Sequence, residues 1–205
     1  MKMQSIHQQV LATILGFEQG KIFFPEQFDY IGSNDSIRQA LSRICKDETI
    51  IRISKGIYLY PIIDHELGLL YPSVDAVAKA IAQRDRARII PTGAYALNRL
   101  GLSTQIPMNV IYLTDGISRK IKIGNQVITF KQTAPKNFSF KGEVTPLIVS
   151  ALKEIGKAAV TNKDIEQIRK MLRFEKRESI VLDAYIAPQW ITDIILSLIS
   201  ELENE

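Results

Sequence analysis

One short segment of the sequence carries side chains suited to reading DNA bases. In "SIRQALSRICK", residues 36–46, four polar residues share the helical face opposite the apolar positions: Arg38, Gln39, Ser42 and Arg43. An arginine guanidinium can bond guanine O6 and N7 together, and a glutamine amide can pair with adenine N6 and N7. These residue types at this spacing predict a recognition helix for the major groove, with Ser36 and Lys46 as further contacts at its two ends.

A lysine at the tip of a predicted hairpin is the second candidate contact. The stretches "TIIRI" and "IYLY" read as strands around the tip "SKG", where Gly56 supplies the positive φ that a tight turn needs. Lys55 at the tip and Arg52 beside it are placed to meet the phosphate backbone or the minor groove. Residues 36–60 hold five basic and two acidic residues, so the local charge favours DNA.

The elements that would position these side chains follow from apolar spacing. A first helix starts after Ser5, an extended piece covers 22–24, and Pro25 opens a second helix that ends at Gly32. Ser33 or Asn34 caps a third helix. Its buried stripe consists of Ile37, Ala40, Leu41, Ile44 and Cys45. Three helices followed by a two-stranded wing predict a winged helix-turn-helix DNA-binding domain over residues 1–64.

The rest of the chain predicts a second domain over residues 70–205, after a connector in "IIDHELGLLYPS". After a helix, "RARIIP" is predicted as a short strand, and a second helix follows it. "NVIYLTDG", "SRKIKI" and "QVITFKQT" are then predicted as strands whose spacing favours hairpins. Thr145-Pro146, Thr161 and Pro188 each open a later helix. The expected fold class is α+β: a winged helix followed by a mixed α/β domain with a small antiparallel sheet and C-terminal helices.

The basic excess lies outside the winged-helix segment. The chain has 205 residues and a net charge of +4, but residues 1–64 hold seven basic and seven acidic residues. Residues 65–145 hold eleven basic and five acidic residues, and residues 146–205 hold eight and ten. Part of the excess forms a second basic surface on the predicted sheet: Arg119, Lys120, Lys122 and Lys131. These cations also fit an ordinary solvated strand face.

Several functional classes lack their motifs. The two histidines, His7 and His65, have no cysteine partners, which argues against a zinc site. There is no phosphate-binding loop, dinucleotide fingerprint or nucleophile elbow. The sequence therefore predicts no enzyme, no catalytic residue, no metal and no cofactor. No apolar run is long enough for a membrane span, no signal peptide is evident, and a single cysteine fits a reducing cytoplasm.

Three stretches resemble a known family: "IIRISKGIYLYP", "PTGAYALNRLGLSTQIP" and "VIYLTDGISRKIKIGNQVITFKQTAPKN". In their order along most of the chain they are similar to the AbiEi-type antitoxins of bacterial abortive-infection systems. The resemblance implies a winged helix that binds inverted repeats in double-stranded DNA at its own promoter. It also implies a C-terminal domain that counters a nucleotidyltransferase-like toxin. Residues 38, 39, 42 and 43 would then read bases, 52, 55 and 56 would form the wing, and residues 119, 120 and 122 would form the second working surface.

Two other interpretations stay open. The protein could be a winged-helix transcriptional regulator without a toxin partner. Alternatively, it could be a protein-interaction module whose winged helix is only a scaffold, since arginine and lysine on an exposed helix often do no more than solvate that face.

Overall fold

The computed structural model describes residues 4–202, apart from the side chain of Lys136. Within that range the fold is α+β, with eight α-helices and nine strands in three small sheets. The chain divides into two compact units. The first runs to Ile81 and includes Lys122–Gly124, and the second contains the remaining residues. The boundary falls inside helix α3 (Val74–Arg84), later in the chain than the predicted connector.

The first helix of the N-terminal unit is confirmed. Helix α1 covers Ile6–Leu15. Ser5 caps it in a reciprocal arrangement: the Ser5 hydroxyl accepts the N–H of Gln8 at 3.3 Å, and the Gln8 side chain accepts the N–H of Ser5 at 3.0 Å. Strand β1 follows at Ile22–Phe23.

The second predicted helix is wrong in type and length. Pro25 does start a helical turn, but the turn is a four-residue 3-10 helix, Pro25–Phe28. Only six residues lie between Pro25 and Gly32, and Asp29 and Tyr30 among them are mediocre helix formers. The hydrogen bonds of so short an α-helix do not offset the conformational entropy lost in ordering its first turn. A tighter 3-10 turn therefore forms instead.

The third helix and the two strands after it are confirmed as secondary structure. Helix α2 covers Asn34–Lys46 with Ser33 as its cap, and strands β2 (Ile51–Ser54) and β3 (Ile57–Leu59) form the hairpin. The three strands form one antiparallel sheet in the order β1-β3-β2. Helices and sheet enclose an aliphatic and aromatic core: Val10, Ile14, Phe23, Phe28, Ile37, Leu41, Ile44, Ile50 and Tyr58.

A second hairpin occupies the stretch that was predicted to be a connector. Strands β4 (Ile62–Asp64) and β5 (Gly68–Leu70) pair in an antiparallel two-stranded sheet. Asp64 organises the turn, because its Oδ1 accepts the N–H groups of Glu66 and Leu67, each at 2.8 Å. Those two hydrogen bonds hold the pKa of Asp64 below its ordinary value.

The larger sheet is mixed, whereas a small antiparallel sheet was predicted. Its strands are β6 (Ile89–Thr92), β7 (Asn109–Thr114), β8 (Arg119–Ile123) and β9 (Gln126–Gln132), and helix α4 (Ala94–Arg99) lies between β6 and β7. The order is β6-β7-β9-β8, and β7 pairs with β9 in parallel. The predicted pairing of β7 with β8 is therefore wrong.

Two contacts of β7, one just after its last residue and one within it, support this topology. Asp115, just after β7, accepts the N–H and the Nε–H of Arg88, both at 2.7 Å, which holds the end of β7 against the start of β6. The ring of Tyr112 stacks on Phe130 of β9 with their centroids 5.9 Å apart. That aromatic pair favours β9 as the neighbour of β7 and leaves β8 on the far side of β9.

The second unit is completed by helices α5 (Val144–Ile155), α6 (Asn162–Leu172), α7 (Arg177–Ala184) and α8 (Gln189–Leu202), which share one aliphatic core with α4. Short 3-10 turns cover Pro135–Phe138 and Lys157–Ala159. The predicted starts at Thr161 and Pro188 are confirmed, and α5 starts one residue before Thr145. None of the helices within residues 4–202 combines the length and the apolar character that a bilayer crossing requires.

Candidate nucleic-acid interface

Helix α2 separates a buried face from an exposed polar face, as its sequence predicted. Ile37, Ala40, Leu41 and Ile44 are almost fully buried against the core of the first unit. The side chains on the opposite face are all exposed: Arg38, Gln39, Ser42, Arg43 and Lys46. Cys45, assigned to the buried stripe, lies at its edge and is only half-buried. The apolar stripe thus fixes which polar residues α2 presents to solvent.

The exposed face of α2 and the β2–β3 hairpin together line one cleft of about 540 Å³. Helix α2 contributes Arg38, Ser42, Cys45 and Lys46, and the hairpin contributes Arg52, Lys55, Gly56 and Tyr58. The 3-10 turn closes the cleft with Pro25 and Glu26. Four cations therefore face one carboxylate in the same concave surface, which gives it a positive potential suited to phosphate.

The hairpin that forms one wall of the cleft has the backbone features needed to present Lys55. Gly56 has φ +72°, which confirms the predicted left-handed turn residue, and no atom lies within 4 Å of the position that its Cβ would occupy. The pairing register shifts between Arg52 and Ser54, so the strand is irregular one step before the tip. Lys55 is exposed at that tip.

Tyr58 and Cys45 are cleft residues that the sequence analysis did not assign to the site. The Tyr58 ring stacks on Phe23 at 5.7 Å between centroids, and this packing orients its cleft side. Burial raises the pKa of both the Cys45 thiol and the Tyr58 hydroxyl, and the charge of Arg52 offsets this only in part. Both groups are therefore neutral at physiological pH, and Cys45 lacks the lowered pKa of a reactive thiol.

Three of the predicted contact residues lie outside the cleft. Arg43 lines a separate hollow of about 380 Å³ with Ser5, His7, Lys46 and Asp47. Ser36 lies in the first turn of α2, where its hydroxyl is 3.0 Å from that of Ser33. Gln39 is exposed but does not line the cleft. Lys46 lines both hollows and so connects the two groups of polar side chains.

A protein-family model, described as a family of unknown function (DUF6088), matches residues 9–180, which include α2, the cleft and the mixed sheet. The chain belongs to this DUF6088 family. No curated protein and no solved structure matches it.

The second basic surface of this DUF6088 chain divides between two faces of the mixed sheet. Arg119 pairs with Asp85, and its guanidinium lies 5.4 Å from the centre of the Phe130 ring. Burial, followed by the charge of Arg84, lowers the pKa of Arg119. Because side chains alternate along a strand, Lys120 and Lys122 lie on the face opposite Arg119, and Lys131 lies opposite Phe130.

Arg119 is therefore held by the fold of the DUF6088 chain, whereas the three lysines are exposed. The sequence predicts all four as one surface because the spacing of charges alone does not show which face of a strand each residue occupies. Within residues 4–202, no group of three histidine, cysteine, aspartate or glutamate side chains is placed to hold a metal ion.

Proposed function

We propose that this protein binds double-stranded DNA through the cleft between α2 and the β2–β3 hairpin, with residues 1–64 acting as a winged helix-turn-helix. The observation that carries the proposal is the convergence of Arg38, Lys46, Arg52 and Lys55 on one concave surface. Cations from a helix and from a neighbouring hairpin are what a duplex needs when a helix enters its major groove and a wing follows its backbone.

The order of elements supports this assignment. A helix, a short strand, a helical turn, a second α-helix and two strands follow one another from Ile6 to Leu59, with the strands in the order β1-β3-β2. This is the sequence of elements expected of a winged helix, with the middle helix reduced to a 3-10 turn. The polar face of α2 is exposed beside this turn.

In this proposal the two ends of the cleft have different roles. Arg38 and Ser42, on α2, face base edges, where a guanidinium can distinguish guanine from the other bases. Lys55 and Arg52, on the hairpin, contact phosphates, which supplies affinity that falls with rising salt. Glu26 contributes the one carboxylate of the cleft and restricts where phosphate can lie.

The biological role that we propose is that of an antitoxin and autorepressor of a bacterial abortive-infection system. It would repress its own promoter through inverted repeats and counter a nucleotidyltransferase-like toxin through residues 70–205. The support for this role is the sequence resemblance of the three stretches described above. The exposed lysines at 120, 122 and 131 then form the surface assigned to the toxin-directed half.

A binding assay tests the DNA proposal. A labelled duplex from the region upstream of the gene is titrated with the protein at several salt concentrations, beside a shuffled duplex of equal length. We expect tighter binding to the native duplex. The double variant Arg38→Ala/Lys55→Ala should lower the slope of log K against log salt by about one unit, through Lys55, and should reduce the preference for the native duplex, through Arg38. The matched control, Lys120→Ala/Lys122→Ala, removes the same charge elsewhere and should leave the slope unchanged. Equal slopes for both variants would exclude the cleft as the DNA site.

A second assay separates the two proposed roles. Cells that express the toxin encoded beside the gene are supplied with either double variant. The Arg38→Ala/Lys55→Ala protein should fail to repress the promoter yet still rescue growth. If it failed to rescue, toxin control would depend on the cleft and the division between the two halves would be wrong. If no toxin gene is adjacent, the regulator interpretation remains.

A further inference from the structure

Helix α2 borders a hollow on each of its two flanks, and the proposed DNA cleft is one of them. The cleft lies on the side of the β2–β3 hairpin and takes Arg38 and Ser42 from α2. The second, which we call the α1 hollow, has a volume of about 380 Å³ and takes Arg43 and Asp47 from α2. Lys46 lines both. Both flanks of the predicted recognition helix are therefore concave and carry cations.

Helical spacing shows which residues lie between the two hollows. With about 3.6 residues per turn, Arg43 lies roughly 140° around the helix axis from Arg38. Gln39 and Lys46 lie between them, at roughly 100° and 80° from Arg38. Both are exposed. Gln39 and Lys46 thus form a ridge that points away from the core, with a hollow on either side of it.

The α1 hollow has the charge and the unpaired donors that a phosphate needs. Arg43 and Lys46 are exposed, and neither makes an ion pair or a side-chain hydrogen bond within the described part of the chain. His7 of α1 contributes a ring whose Nδ1 is buried and has no hydrogen-bond partner among the same residues. Ser5 already caps α1 with its own hydroxyl. The cations, and not the end of α1, therefore make this hollow suited to an anion.

The dimensions of B-DNA suit this arrangement. The major groove is about 12 Å wide, and an α-helix with its side chains is about 10–12 Å across. The backbones of the two strands border the groove on opposite sides, so a helix that fills the groove has one backbone along each flank. A ridge with a cationic hollow on either side therefore fits the groove with one strand in each hollow.

We propose that the α1 hollow, through His7, Arg43 and Lys46, binds a backbone phosphate of the DNA strand opposite to the strand that the β2–β3 hairpin contacts. This phosphate site depends on the proposed binding of DNA in the cleft and extends that interface across α2 to the start of α1. Helix α2 is then held between the two strands. Gln39, on the ridge, faces the base edges, where its amide can pair with adenine N6 and N7. Asp47 is the one carboxylate of the α1 hollow and opposes the phosphate.

Neutralising single phosphates of the duplex tests which strand each hollow contacts. One phosphate at a time, on either strand of the native duplex, is replaced by an uncharged methylphosphonate. Binding of each duplex is measured for wild type, Lys55→Ala and Arg43→Ala. A variant that lacks the cation for a given phosphate should no longer respond when that phosphate loses its charge. We expect Lys55→Ala to lose a response on one strand and Arg43→Ala to lose a response on the other strand, across the major groove.

The outcomes separate failure of the α1 hollow from failure of the cleft. If Lys55→Ala loses a response but Arg43→Ala keeps all of them, or loses one on the same strand, the α1 hollow is wrong and the cleft stands. If Arg43→Ala alone loses a response, the cleft is wrong as the DNA site and the two-strand arrangement fails with it. If neither variant loses a response, both proposals fail.

A change of charge in the other direction tests the same hollow. Asp47→Asn removes the carboxylate that opposes the phosphate, so it should raise affinity for native and shuffled duplexes alike by about threefold. Asp29→Asn is the matched control, because Asp29 is exposed and lines neither hollow, and it should leave affinity unchanged. Equal affinities of the two variants would place the α1 hollow away from DNA.

Replacement of Gln39 tests the ridge between the hollows. Gln39→Ala should lower affinity for the native duplex by about tenfold and leave affinity for the shuffled duplex unchanged, because a base contact is lost and no charge is removed. A Gln39→Ala protein that kept its full preference for the native duplex would show that the ridge does not face the bases, and the two-strand arrangement would then be wrong.

Discussion

Glu175 caps the N-terminus of helix α5 through Thr145. One carboxylate oxygen of Glu175 accepts the Thr145 backbone N–H at 2.9 Å and also the Thr145 hydroxyl, and the other accepts the N–H of Val144 at 2.8 Å. The residue at the cap position itself, Glu143, makes no side-chain hydrogen bond to the helix. A residue thirty positions later in the chain therefore satisfies N–H groups that the first turn of a helix leaves without partners.

Glu175→Ala should lower the free energy of unfolding by about 2 kcal/mol, because it leaves two half-buried N–H groups and a hydroxyl without their acceptor. Chemical denaturation monitored by circular dichroism measures the change. Glu178→Ala is the matched control: Glu178 is exposed in the first turn of α7, and its loss should change stability by less than about 0.5 kcal/mol. Equal effects would mean that the cap contributes nothing.

Arg38→Ala and Arg43→Ala should affect DNA binding differently. Arg38 lines the cleft with Lys55, whereas Arg43 lines the neighbouring hollow with His7. We expect Arg38→Ala to cost about 1–3 kcal/mol on the specific duplex and to relax preference at one base position. Arg43→Ala should weaken specific and shuffled duplexes alike, as a phosphate contact does. Competition binding with single-position variants of the duplex distinguishes the two, and the reverse pattern would assign base reading to Arg43.

Gly56→Val should destabilise the hairpin by about 1–2 kcal/mol, because a residue with a Cβ is strained at a φ of +72°. Free space surrounds the missing Cβ, so the cost comes from the backbone and not from a clash. Gly56→Asn is the control, since asparagine tolerates this conformation better. Thermal unfolding should rank glycine above asparagine and asparagine above valine. A valine variant as stable as the asparagine variant would show that the positive φ at position 56 does not strain the backbone of valine.

Lys120→Glu/Lys131→Glu should impair toxin rescue without changing stability, because both side chains are exposed. Arg119→Glu should instead destabilise the fold, since it places a carboxylate beside Asp85 and removes the guanidinium from the Phe130 ring. Growth rescue and thermal unfolding are measured for both proteins. If the lysine variant rescued fully, those lysines would be an ordinary solvated face.

Asp115 should make the second unit sensitive to acid. Burial raises the pKa of its carboxyl, but the hydrogen bonds and charge of Arg88 outweigh burial and hold the pKa below its ordinary value. The ionised form therefore stabilises the fold above the ordinary aspartate pKa, and this contribution is lost as the pH falls towards the lowered value. The stability gap between wild type and Asp115→Asn should be largest at neutral pH and shrink below about pH 4.

The control for that experiment is Asp29→Asn, because Asp29 has an exposed carboxylate that makes no ion pair within the described part of the chain. Its stability gap should stay small and nearly constant across the same range. A gap for Asp115→Asn that did not change with pH would show that Arg88 does not stabilise the charged form.

Local patterns predicted α1, α2 and the β2–β3 hairpin because each depends on signals a few residues apart. The Ser5 cap, the apolar stripe of α2 and Gly56 between two strands are of this kind. The second predicted α-helix is a 3-10 turn, because too few good helix formers follow Pro25. Helix α7 was missed because it has no clear amphipathic stripe: Leu182 is exposed, whereas Asp183 is buried beside it.

Long-range pairing was beyond the sequence patterns. The spacing of the three strands from Asn109 to Gln132 suits consecutive hairpins, and nothing local indicates that β7 pairs with β9 in parallel. The same limit applies to the candidate site. The cations of α2 and of the hairpin were predicted. Tyr58, Cys45 and Glu26 also line the cleft, but only tertiary packing brings them there, so local patterns did not predict them. Arg43 lines the neighbouring hollow instead, because the exposed face of α2 is wide enough to border two hollows.

The parallel pairing of β7 with β9 sets an order in which the sheet can assemble during synthesis. When β7 leaves the ribosome, its neighbour β6 has already emerged, but β9 has not. The Tyr112 ring can therefore stack on Phe130 only after β9 has emerged. Until then the apolar face of β7 stays uncovered. β9 enters the sheet between β7 and β8 only after both have been synthesised, so β7 keeps an open edge until β9 docks.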